Sequence, residues 1–265
     1  MLDGQGCELG PGAYEILIEP GDEVADIAAL AAQDLEVDVC LQPAEGRRKR
    51  LLIADMDSTI INVECIDELA DFAGVKAEVS AITERAMRGD LDFEAALRAR
   101  VAMLKGLPLT ALQRAYDERV RLNPGARTLV RTMTAHGAKA FLVSGGFSFF
   151  TTRVARAAGF DADRANTLIE AGEALAGTVG QPILGRAAKL AALEEEAAKL
   201  GLALSETLAV GDGANDLAMI TASGLGVAYR AKPIVAAEAD AKVDHADLTA
   251  LLYFQGYSVA DFVTD

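Results

Sequence analysis

The sequence has no tryptophan, and aromatic residues make up only 5% of its 265 positions. Hydrophobic residues nevertheless account for 51%, so the core has to be built mainly from alanine, leucine, valine and isoleucine. Because these residues suit helices packed on a parallel sheet, the composition favours an α/β fold over a β-sandwich. The length allows one large domain, or a core domain with smaller companions.

Cysteine and histidine are also scarce. The three cysteines, Cys7, Cys40 and Cys65, are odd in number and form no C-x-x-C pair, which argues against a disulfide framework and against a zinc site. The two histidines, His136 and His245, lie far apart in sequence and are most simply helix-end or surface residues. Neither supports a catalytic centre based on histidine.

Long apolar runs and excess positive charge are absent too. No stretch approaches the roughly 18 apolar residues of a membrane span, and Met1–Tyr14 does not resemble a signal peptide, so we expect a cytoplasmic protein. With 25 basic against 40 acidic residues, the net charge of −15 disfavours nucleic acid and anionic membranes as partners. An anion site must therefore be made locally, by a metal, a few basic residues or helix N-termini.

One stretch combines a buried strand with two carboxylates. Leu51–Ala54 is uninterrupted apolar sequence, as in a central parallel strand, and Asp55 and Asp57 follow directly. Ligands of open α/β sheets bind at the carboxyl ends of the strands, which favours a chemical role for these acids. The alternative is a turn that ends the strand and caps a helix.

Two further apolar strands end in polar residues. Ala138–Val143 is followed by Ser144, Gly145 and Gly146, whose hydroxyl and backbone N–H groups could hold a phosphate before the next helix, although a plain strand-to-helix turn fits equally well. Thr207–Val210 is followed by Asp212 between two glycines. The strand ends therefore predict one polar site.

The chemistry of such a site follows from its charges. Three carboxylates, Asp55, Asp57 and Asp212, raise one another's pKa unless a cation joins them. Oxygen ligands without histidine or cysteine favour Mg²⁺, which also binds phosphate oxygens. One carboxylate can then attack phosphorus while the other transfers protons. Lys189, near the start of a long amphipathic helix over Gly185–Leu200, could assist, but by itself is more simply a surface lysine.

Outside these strands the pattern indicates three parts. Helical spacing over Glu64–Phe72, Lys76–Arg88, Phe93–Leu104 and Leu109–Arg121 predicts a helical cap at residues 63–122, with plain scaffold as the alternative. Residues 46–62 and 123–265 form the α/β core, ending in a poorly ordered tail from Gln255. Residues 1–45 predict a strand (Tyr14–Glu19), a helix (Glu23–Gln33) and a strand (Val37–Gln42). The basic run Gly46–Arg50 marks the boundary.

In their order along the chain, DMDST, Ser144-Gly145-Gly146, Lys189 and GDGAND resemble the four motifs of the haloacid dehalogenase superfamily of phosphohydrolases. Within it, ADMDSTIINVECIDELA, FEAALRARV, VSGGF and VGDGANDLAMI resemble the phosphoserine phosphatases, and the resemblance extends from about Leu51 to Tyr253. It implies a doubly wound, mostly parallel sheet of Rossmann type, with an inserted helical cap and a small N-terminal α+β unit. The N-terminal unit is shorter than that of longer members.

The resemblance also implies roles for single residues. Asp55 would be the nucleophile, and Asp57 the acid/base whose backbone carbonyl also contacts Mg²⁺. Asp212 would be a metal ligand supported by Asn215 and Asp216, and Asn215 would also contact the substrate. Ser144, Gly145 and Lys189 would bind the phosphoryl oxygens. Glu64 would bind the substrate ammonium and Arg100 its carboxylate, while Met87 and Phe93 would cover the site. From the residues alone, Glu64 and Arg100 would be ordinary helix-surface charges.

The implied reaction is the Mg²⁺-dependent hydrolysis of O-phosphoserine, the last step of serine biosynthesis in this family. One alternative is a relative that hydrolyses another small phosphate ester or passes its phosphoryl group to an alcohol. Another is a non-catalytic amino-acid sensor built from the N-terminal unit and cap, against which the intact Asp55 and Asp57 argue. The partner is thus a small molecule, and a homodimer is left open.

Overall fold

The computed structural model describes residues 6–18, 35–87 and 91–264 of the chain. Its strands are β1 (Gly6–Gly10), β2 (Ala13–Ile16), β3 (Leu51–Ala54), β4 (Lys139–Phe147), β5 (Ala162–Asn166), β6 (Leu168–Ala171), β7 (Ala174–Val179), β8 (Thr207–Gly211), β9 (Leu225–Tyr229) and β10 (Ala241–Val243). Its helices are α1 (Cys65–Ala73), α2 (Lys76–Met87), α3 (Phe93–Met103), α4 (Leu109–Arg119), α5 (Ala126–Ala135), α6 (Ser148–Ala158), α7 (Arg186–Leu200), α8 (Leu217–Ala222), α9 (Pro233–Ala236) and α10 (Ala250–Phe254).

A six-stranded parallel sheet forms the centre of the molecule, in the order β10-β9-β8-β3-β4-β5. The chain enters at β3 in the middle, builds outward through β4 to β5, and then returns to β8 on the other side of β3. This is the doubly wound order. Successive strands are added on one side of β3 and then on the other, so the strand order reverses between β3 and β8 and a crevice opens at the carboxyl ends of these two strands. The predicted α/β fold is confirmed.

The apolar runs of the sequence occupy the middle of this sheet. All residues of β3, β8 and β9 are buried, as expected for strands covered by helices on both faces. Alternate β3 side chains enter opposite cores: Leu52 and Ala54 belong to the larger one, whereas Leu51 and Ile53 pack against residues of α7 and α8. Burial on both faces fixes β3 and therefore the position of Asp55 behind it.

Between β3 and α5 the chain forms the helical insertion, which comprises α1 to α4. Its apolar faces, including Leu69, Val79 and Leu97, join the larger core cluster. It also docks on the β6–β7 hairpin, because Gly106 N–H donates to the Leu175 carbonyl over 2.9 Å and Leu109 N–H to the Glu173 carbonyl over 2.9 Å. The insertion therefore lies against both the carboxyl edge of the sheet and the hairpin. The cap boundaries at 63 and 122 stay a prediction.

The N-terminal part differs from the predicted strand–helix–strand unit. β1 and β2 form an antiparallel hairpin, in which Gly6–Gly10 is a strand that the sequence pattern did not predict. The predicted helix Glu23–Gln33 lies outside the described residues. The predicted strand Val37–Gln42 is wrong, since Cys40 makes a single bridge to Ala241 and the other residues extend no ladder. Beyond the bridge to the first residue of β10, residues 37–42 pair with no further strand residue in the described ranges.

The described part of the C-terminal tail, residues 255–264, packs against the core, contrary to our expectation. Gln255 is fully buried and accepts the Lys49 backbone N–H over 3.0 Å, while Tyr257 is stacked edge-on against His136 and lies under the Arg48 guanidinium. Two residues of the basic run before β3, Arg48 and Lys49, thus bind the C-terminal segment of the same chain. The other members of the run also have partners: Arg47 pairs with Glu15 and Arg50 with Glu206.

No helix in the described ranges has the length and apolar character needed to traverse a lipid bilayer.

Candidate active site at the sheet switch point

The site is built on the ends of the two central strands. Asp55 follows β3 directly, and its backbone N–H donates to the Val210 carbonyl of β8 over 3.0 Å, so the ladder continues to the acid. Asp212 directly follows β8 and accepts the Thr59 hydroxyl over 3.3 Å. The register of the strands thus aligns two carboxylates that are 157 positions apart in the chain.

Three carboxylates meet at this edge. One oxygen each of Asp55, Asp212 and Asp216 lies within 4.8 Å of the others. Lys189 is buried beside them: its Nζ lies 2.5 Å from Asp55 Oδ1 and also contacts Asp216. The structure therefore assembles the predicted pair Asp55 and Asp212, and buries the lysine that its own sequence context would have left on the surface.

The charges at this edge do not balance. Burial and the neighbouring Asp216 raise the pKa of Asp55 well above its usual value, although Lys189 opposes them. Burial and Asp216 likewise raise the pKa of Asp212 to about 6. For Lys189, burial acts to lower the pKa, but attraction by Asp55 and Asp216 outweighs it and raises the pKa. One ammonium for three acids leaves a site that favours a further cation.

The donor set fits a hard divalent cation. Carboxylate oxygens are the ligands that Mg²⁺ prefers, and ligands on opposite sides of an octahedral Mg²⁺ lie about 4.2 Å apart, given bonds of about 2.1 Å. The oxygens of the cluster lie within 4.8 Å of one another, so these carboxylates are close enough to share one ion. Asp216 already uses its Oδ2 to accept the Gly213 N–H over 3.0 Å and its Oδ1 to bind Lys189. These bonds favour Asp55 and Asp212 as ligands and Asp216 as their support.

Asp57 lies outside that cluster. Its Oδ1 accepts the Cys65 N–H over 2.9 Å, and its Oδ2 accepts the Ser144 hydroxyl over 3.0 Å. Burial and then Glu64 raise its pKa to about 6, against the lowering effect of these hydrogen bonds. Asp57 is therefore oriented by Cys65 and Ser144, and not by the three clustered acids.

Ser144, Gly145 and Gly146 lie at the end of β4, and α6 begins at Ser148, close to the position that the sequence indicates. β4 continues through Ser144, Gly145 and Gly146, and its pairing with β5 is irregular between Val143 and Phe147. The Gly146 N–H donates to Ser144 Oγ over 2.8 Å. A Cβ on Gly146 would lie 2.8 Å from Asp57 Oδ2, so only glycine lets the acid approach this closely.

The helical insertion brings two further charged residues to the site. Glu64 precedes α1 and accepts the Ser58 hydroxyl over 2.6 Å. Its carboxylate is close enough to raise the pKa of both Asp57 and Asp212. Ser58 itself adopts a left-handed conformation with φ of 58°, within the sharp turn Met56–Ile60 that leads from the strand to the insertion.

Arg100 is a half-buried cation with neutral partners. Its Nε donates to the Ala96 carbonyl over 3.3 Å and its Nη1 to the Thr83 hydroxyl over 3.4 Å. No carboxylate in the described ranges forms an ion pair with it. Burial lowers its pKa, while Asp67 and Glu64 act in the opposite direction. Such a guanidinium retains free donors for an anionic ligand.

Phe93 stands at the start of α3, over the site. A Cβ built on Gly145 would lie 3.1 Å from its ring, and one built on Gly185 would lie 3.5 Å from it. Asp92, Phe93, Gly185 and Arg186 line a cleft of about 540 Å³. The other predicted cover, Met87, ends α2, but its side chain lies outside the described residues. Asn215 is half-buried in the loop between β8 and α8, where its Oδ1 lies against Gly213.

Two polar residues of the site were missed at the sequence level. Asn123 donates from its Nδ2 to the carbonyls of Thr59 and Ile61, over 2.8 and 3.1 Å. These bonds connect the segment that follows the insertion to the segment that precedes it. Asn166, at the end of β5, contacts Gly145 and Leu184. A lone asparagine carries no recognisable local pattern, and only proximity in the fold identifies either one.

Comparison with known proteins identifies the family. The model of the haloacid dehalogenase-like hydrolases matches residues 52–221, from β3 to α8. The chain belongs to this family. It is 43% identical over 246 residues to a phosphoserine phosphatase of Archaeoglobus fulgidus, covering 90% of this chain and 71% of the relative.

Solved structures of family members agree with the fold. A probable phosphoserine phosphatase of Vibrio cholerae is 36% identical with a TM-score of 0.80, covering 94% of this chain and 77% of that one. A structure described as a phospho-aspartyl intermediate analogue of phosphoserine phosphatase is 40% identical with a TM-score of 0.72, covering 78% and 99%. Both similarities cover more than three quarters of this chain and agree with the fold of the family.

Proposed function

We propose that this chain is a Mg²⁺-dependent phosphatase that hydrolyses O-phosphoserine to serine and phosphate through an aspartyl-phosphate. The observation that carries the proposal is the meeting of Asp55, Asp212 and Lys189 at the switch point. In the described part of the insertion, Arg100 forms hydrogen bonds to a backbone carbonyl and a hydroxyl and no ion pair with a carboxylate. The similarity to phosphoserine phosphatases of other organisms supports the substrate.

Asp55 is the proposed nucleophile. One of its oxygens attacks phosphorus, and the bond from phosphorus to the serine oxygen breaks. The Lys189 ammonium, 2.5 Å from Asp55 Oδ1, and the donors of Ser144 and Gly145 would hold the phosphoryl oxygens as the charge redistributes. When bound, Mg²⁺ would supply charge neutralisation of the phosphoryl group and of the carboxylates of Asp55 and Asp212.

Asp57 is the proposed acid and base. In the first step it gives its proton to the leaving serine oxygen, and in the second it takes a proton from the water that attacks the aspartyl-phosphate and frees Asp55. Its pKa of about 6 supports this exchange of roles, because both protonation states are populated near neutral pH. The Ser144 hydroxyl and the Cys65 N–H fix the orientation of its carboxylate.

The insertion is proposed to recognise the amino-acid part of the substrate. Glu64 would bind the ammonium group and Arg100 the carboxylate, with Met87 and Phe93 covering the site. A guanidinium without a carboxylate partner suits an α-carboxylate, which accepts paired N–H donors. A phosphatase for esters without an amino acid would have no use for this pair of charges.

Turnover of a panel of phosphate esters tests the proposal. With Mg²⁺, the protein should release serine and phosphate in equal amounts from O-phosphoserine, with a kcat/KM at least tenfold higher than for ethanolamine phosphate or glycerol phosphate. Equal values across the panel would contradict the proposed substrate. Binding of serine without any phosphate release would instead support a non-catalytic sensor.

A further inference from the structure

Asn166 is a buried polar side chain to which the proposed reaction assigns no role. It ends the edge strand β5 and is only 2% exposed. Its Oδ1 accepts the Leu184 N–H over 2.8 Å, and its Nδ2 donates to the carbonyls of Gly145 over 2.8 Å and of Leu184 over 3.2 Å. These bonds use one acceptor and both donors of the amide. A side chain this fully engaged fixes whatever it contacts.

The contacts of Asn166 join two segments that are distant in sequence. Gly145 belongs to the turn at the end of β4, and Leu184 belongs to the approach to α7, on which Lys189 stands. Both segments are predicted to bind the phosphoryl group. Asn166 therefore determines the spacing between the donors of β4 and the lysine of α7, although it touches neither the lysine nor the acids.

The bond to Gly145 also fixes the orientation of a peptide group. In a trans peptide the carbonyl and the following N–H point in opposite directions, so holding the Gly145 carbonyl at Asn166 turns the Gly146 N–H toward Ser144. That N–H donates to Ser144 Oγ over 2.8 Å, and the hydroxyl in turn donates to Asp57 over 3.0 Å. A chain of hydrogen bonds thus leads from Asn166 through one peptide to the serine of the site.

The two segments that Asn166 joins also contact the helical insertion, through Phe93. Phe93 lies against Gly145, which Asn166 contacts, and against Gly185, which follows Leu184 in the chain. If the two segments moved apart, the ring would lose the surface on which it packs. The bridge therefore supports both the phosphate-binding groups and the contact that covers them.

We propose that Asn166 is a positioning residue, whose amide holds the Gly145–Gly146 peptide and the segment before α7 in the geometry that binds the phosphoryl group. This inference rests on the proposed phosphatase function. It predicts a loss that follows the phosphoryl group and not the rest of the substrate, because Asn166 has no contact with Glu64 or Arg100.

The test compares Asn166→Ala and Asn166→Asp with the control Arg164→Met. Asn166→Asp has the same size and keeps an acceptor for the Leu184 N–H, but it places an oxygen opposite two carbonyls. Arg164 lies on the same strand and pairs with Glu195 and Glu196 of α7, so its loss loosens β5 from α7 without touching Gly145. Activity is expressed per folded molecule, from thermal unfolding of each preparation.

Both Asn166 variants should lose kcat by about tenfold or more, on O-phosphoserine and on p-nitrophenyl phosphate alike, because misplaced donors stabilise the transition state less well. Inhibition by inorganic phosphate should weaken in parallel. Amide hydrogen exchange at Gly146 in the metal-free protein should accelerate by about tenfold, since its bond to Ser144 is no longer fixed. Arg164→Met should keep all three within twofold of wild type.

Two results would overturn the inference. One is an Asn166→Ala protein whose kcat, phosphate inhibition and Gly146 exchange match those of Arg164→Met. The other is a loss confined to O-phosphoserine, which would place the effect in substrate recognition. A wild-type protein that releases no phosphate would contradict the proposed function instead, while Gly146 exchange would still test the bridge.

Discussion

The strand ends and the helical insertion hold their charged residues in different ways. At the strand ends, Asp55 and Lys189 are buried and paired with each other, and Asp216 is bonded through both oxygens. In the insertion, the hydrogen-bond partners of Arg100 among the described residues are a backbone carbonyl and a hydroxyl, at 3.3 and 3.4 Å.

This difference teaches how the two parts divide the work. In the proposed reaction, Asp55 and Asp212, which would act at the phosphoryl group, are fixed by the register of the central strands before any substrate binds, and this is the condition for electrostatic catalysis. Arg100, which in the proposal recognises the amino-acid part of the substrate, retains donors that the ligand would use. Substitutions in the two regions should therefore affect different kinetic constants.

The largest effect is expected from Asp55→Asn. The amide has the same size but is a poor nucleophile, so kcat should fall by at least about 10⁴-fold on every phosphate ester, with no aspartyl-phosphate trapped by acid quench. Rapid-quench experiments with ³²P-labelled substrate measure both. The fold should persist, as judged by circular dichroism. A variant that still turned over at a tenth of the wild-type rate would remove Asp55 from the mechanism.

Arg100→Ala should affect one substrate and spare another. Without the guanidinium, kcat/KM for O-phosphoserine should fall by about 100-fold, mostly through KM, whereas p-nitrophenyl phosphate should change by less than about threefold. Arg98 is the matched control, since it lies on the same helix and pairs with Glu94 at the surface. Arg98→Ala should behave as wild type. Equal losses of Arg100→Ala on both substrates would place Arg100 at the phosphoryl group.

The acids at the strand ends should make stability depend on pH. The pKa of Asp212 is about 6 in the folded protein against a usual 3.8, so the folded state binds the extra proton. Its contribution is therefore largest below pH 4 and is lost as the pH rises toward 6. In the metal-free protein, Asp212→Asn should flatten the dependence of Tm on pH in that window.

Magnesium should counteract the loss of thermal stability that the ionised acids cause as the pH rises. Because the cation binds the ionised acids, it should raise the Tm of the wild type more at pH 7.5 than at pH 5, and Asp212→Asn should abolish most of that rise. Asp117→Asn, which changes an exposed acid of α4, serves as the control. The same Mg²⁺ shift in wild type and Asp212→Asn would exclude Asp212 as a ligand.

The smallest effect is expected from Thr83→Val. The hydroxyl accepts one bond from Arg100 at 3.4 Å and donates to the Val79 carbonyl. Losing one such bond should raise KM for O-phosphoserine by about two- to fivefold and leave kcat unchanged. Steady-state kinetics measure it. A reduced kcat with unchanged KM would mean that Thr83 supports the chemistry and not the orientation of Arg100.

The sequence predicts the strand ends well because their signals are local. β3 and β8 are continuous apolar runs, and the acids follow them directly, so the α/β fold and the meeting of Asp55 with Asp212 could be expected. Lys189 is different. Its helix is amphipathic, and only the packing of α7 over the end of β3 buries the ammonium beside Asp55.

Other features depend on partners that are distant in sequence. Val37–Gln42 alternates like a strand, but in the described residues it forms a single bridge, between Cys40 and Ala241. Gln255 is fully buried and accepts a hydrogen bond from the backbone N–H of Lys49, which precedes β3. The strand at Gly6–Gly10 is rich in glycine and gives no β pattern. Asn166 likewise becomes significant only when β4, β5 and α7 are brought together. The roles of the site residues, the homodimer and the cytoplasmic location stay predictions.

The most direct test is a crystal structure with Mg²⁺ and beryllium fluoride, which mimics a phosphoryl group on a carboxylate. The account predicts the beryllium on an oxygen of Asp55, the metal between Asp55 and Asp212, and Lys189 on a fluoride. Beryllium fluoride on another residue, or a metal bound without Asp212, would contradict it.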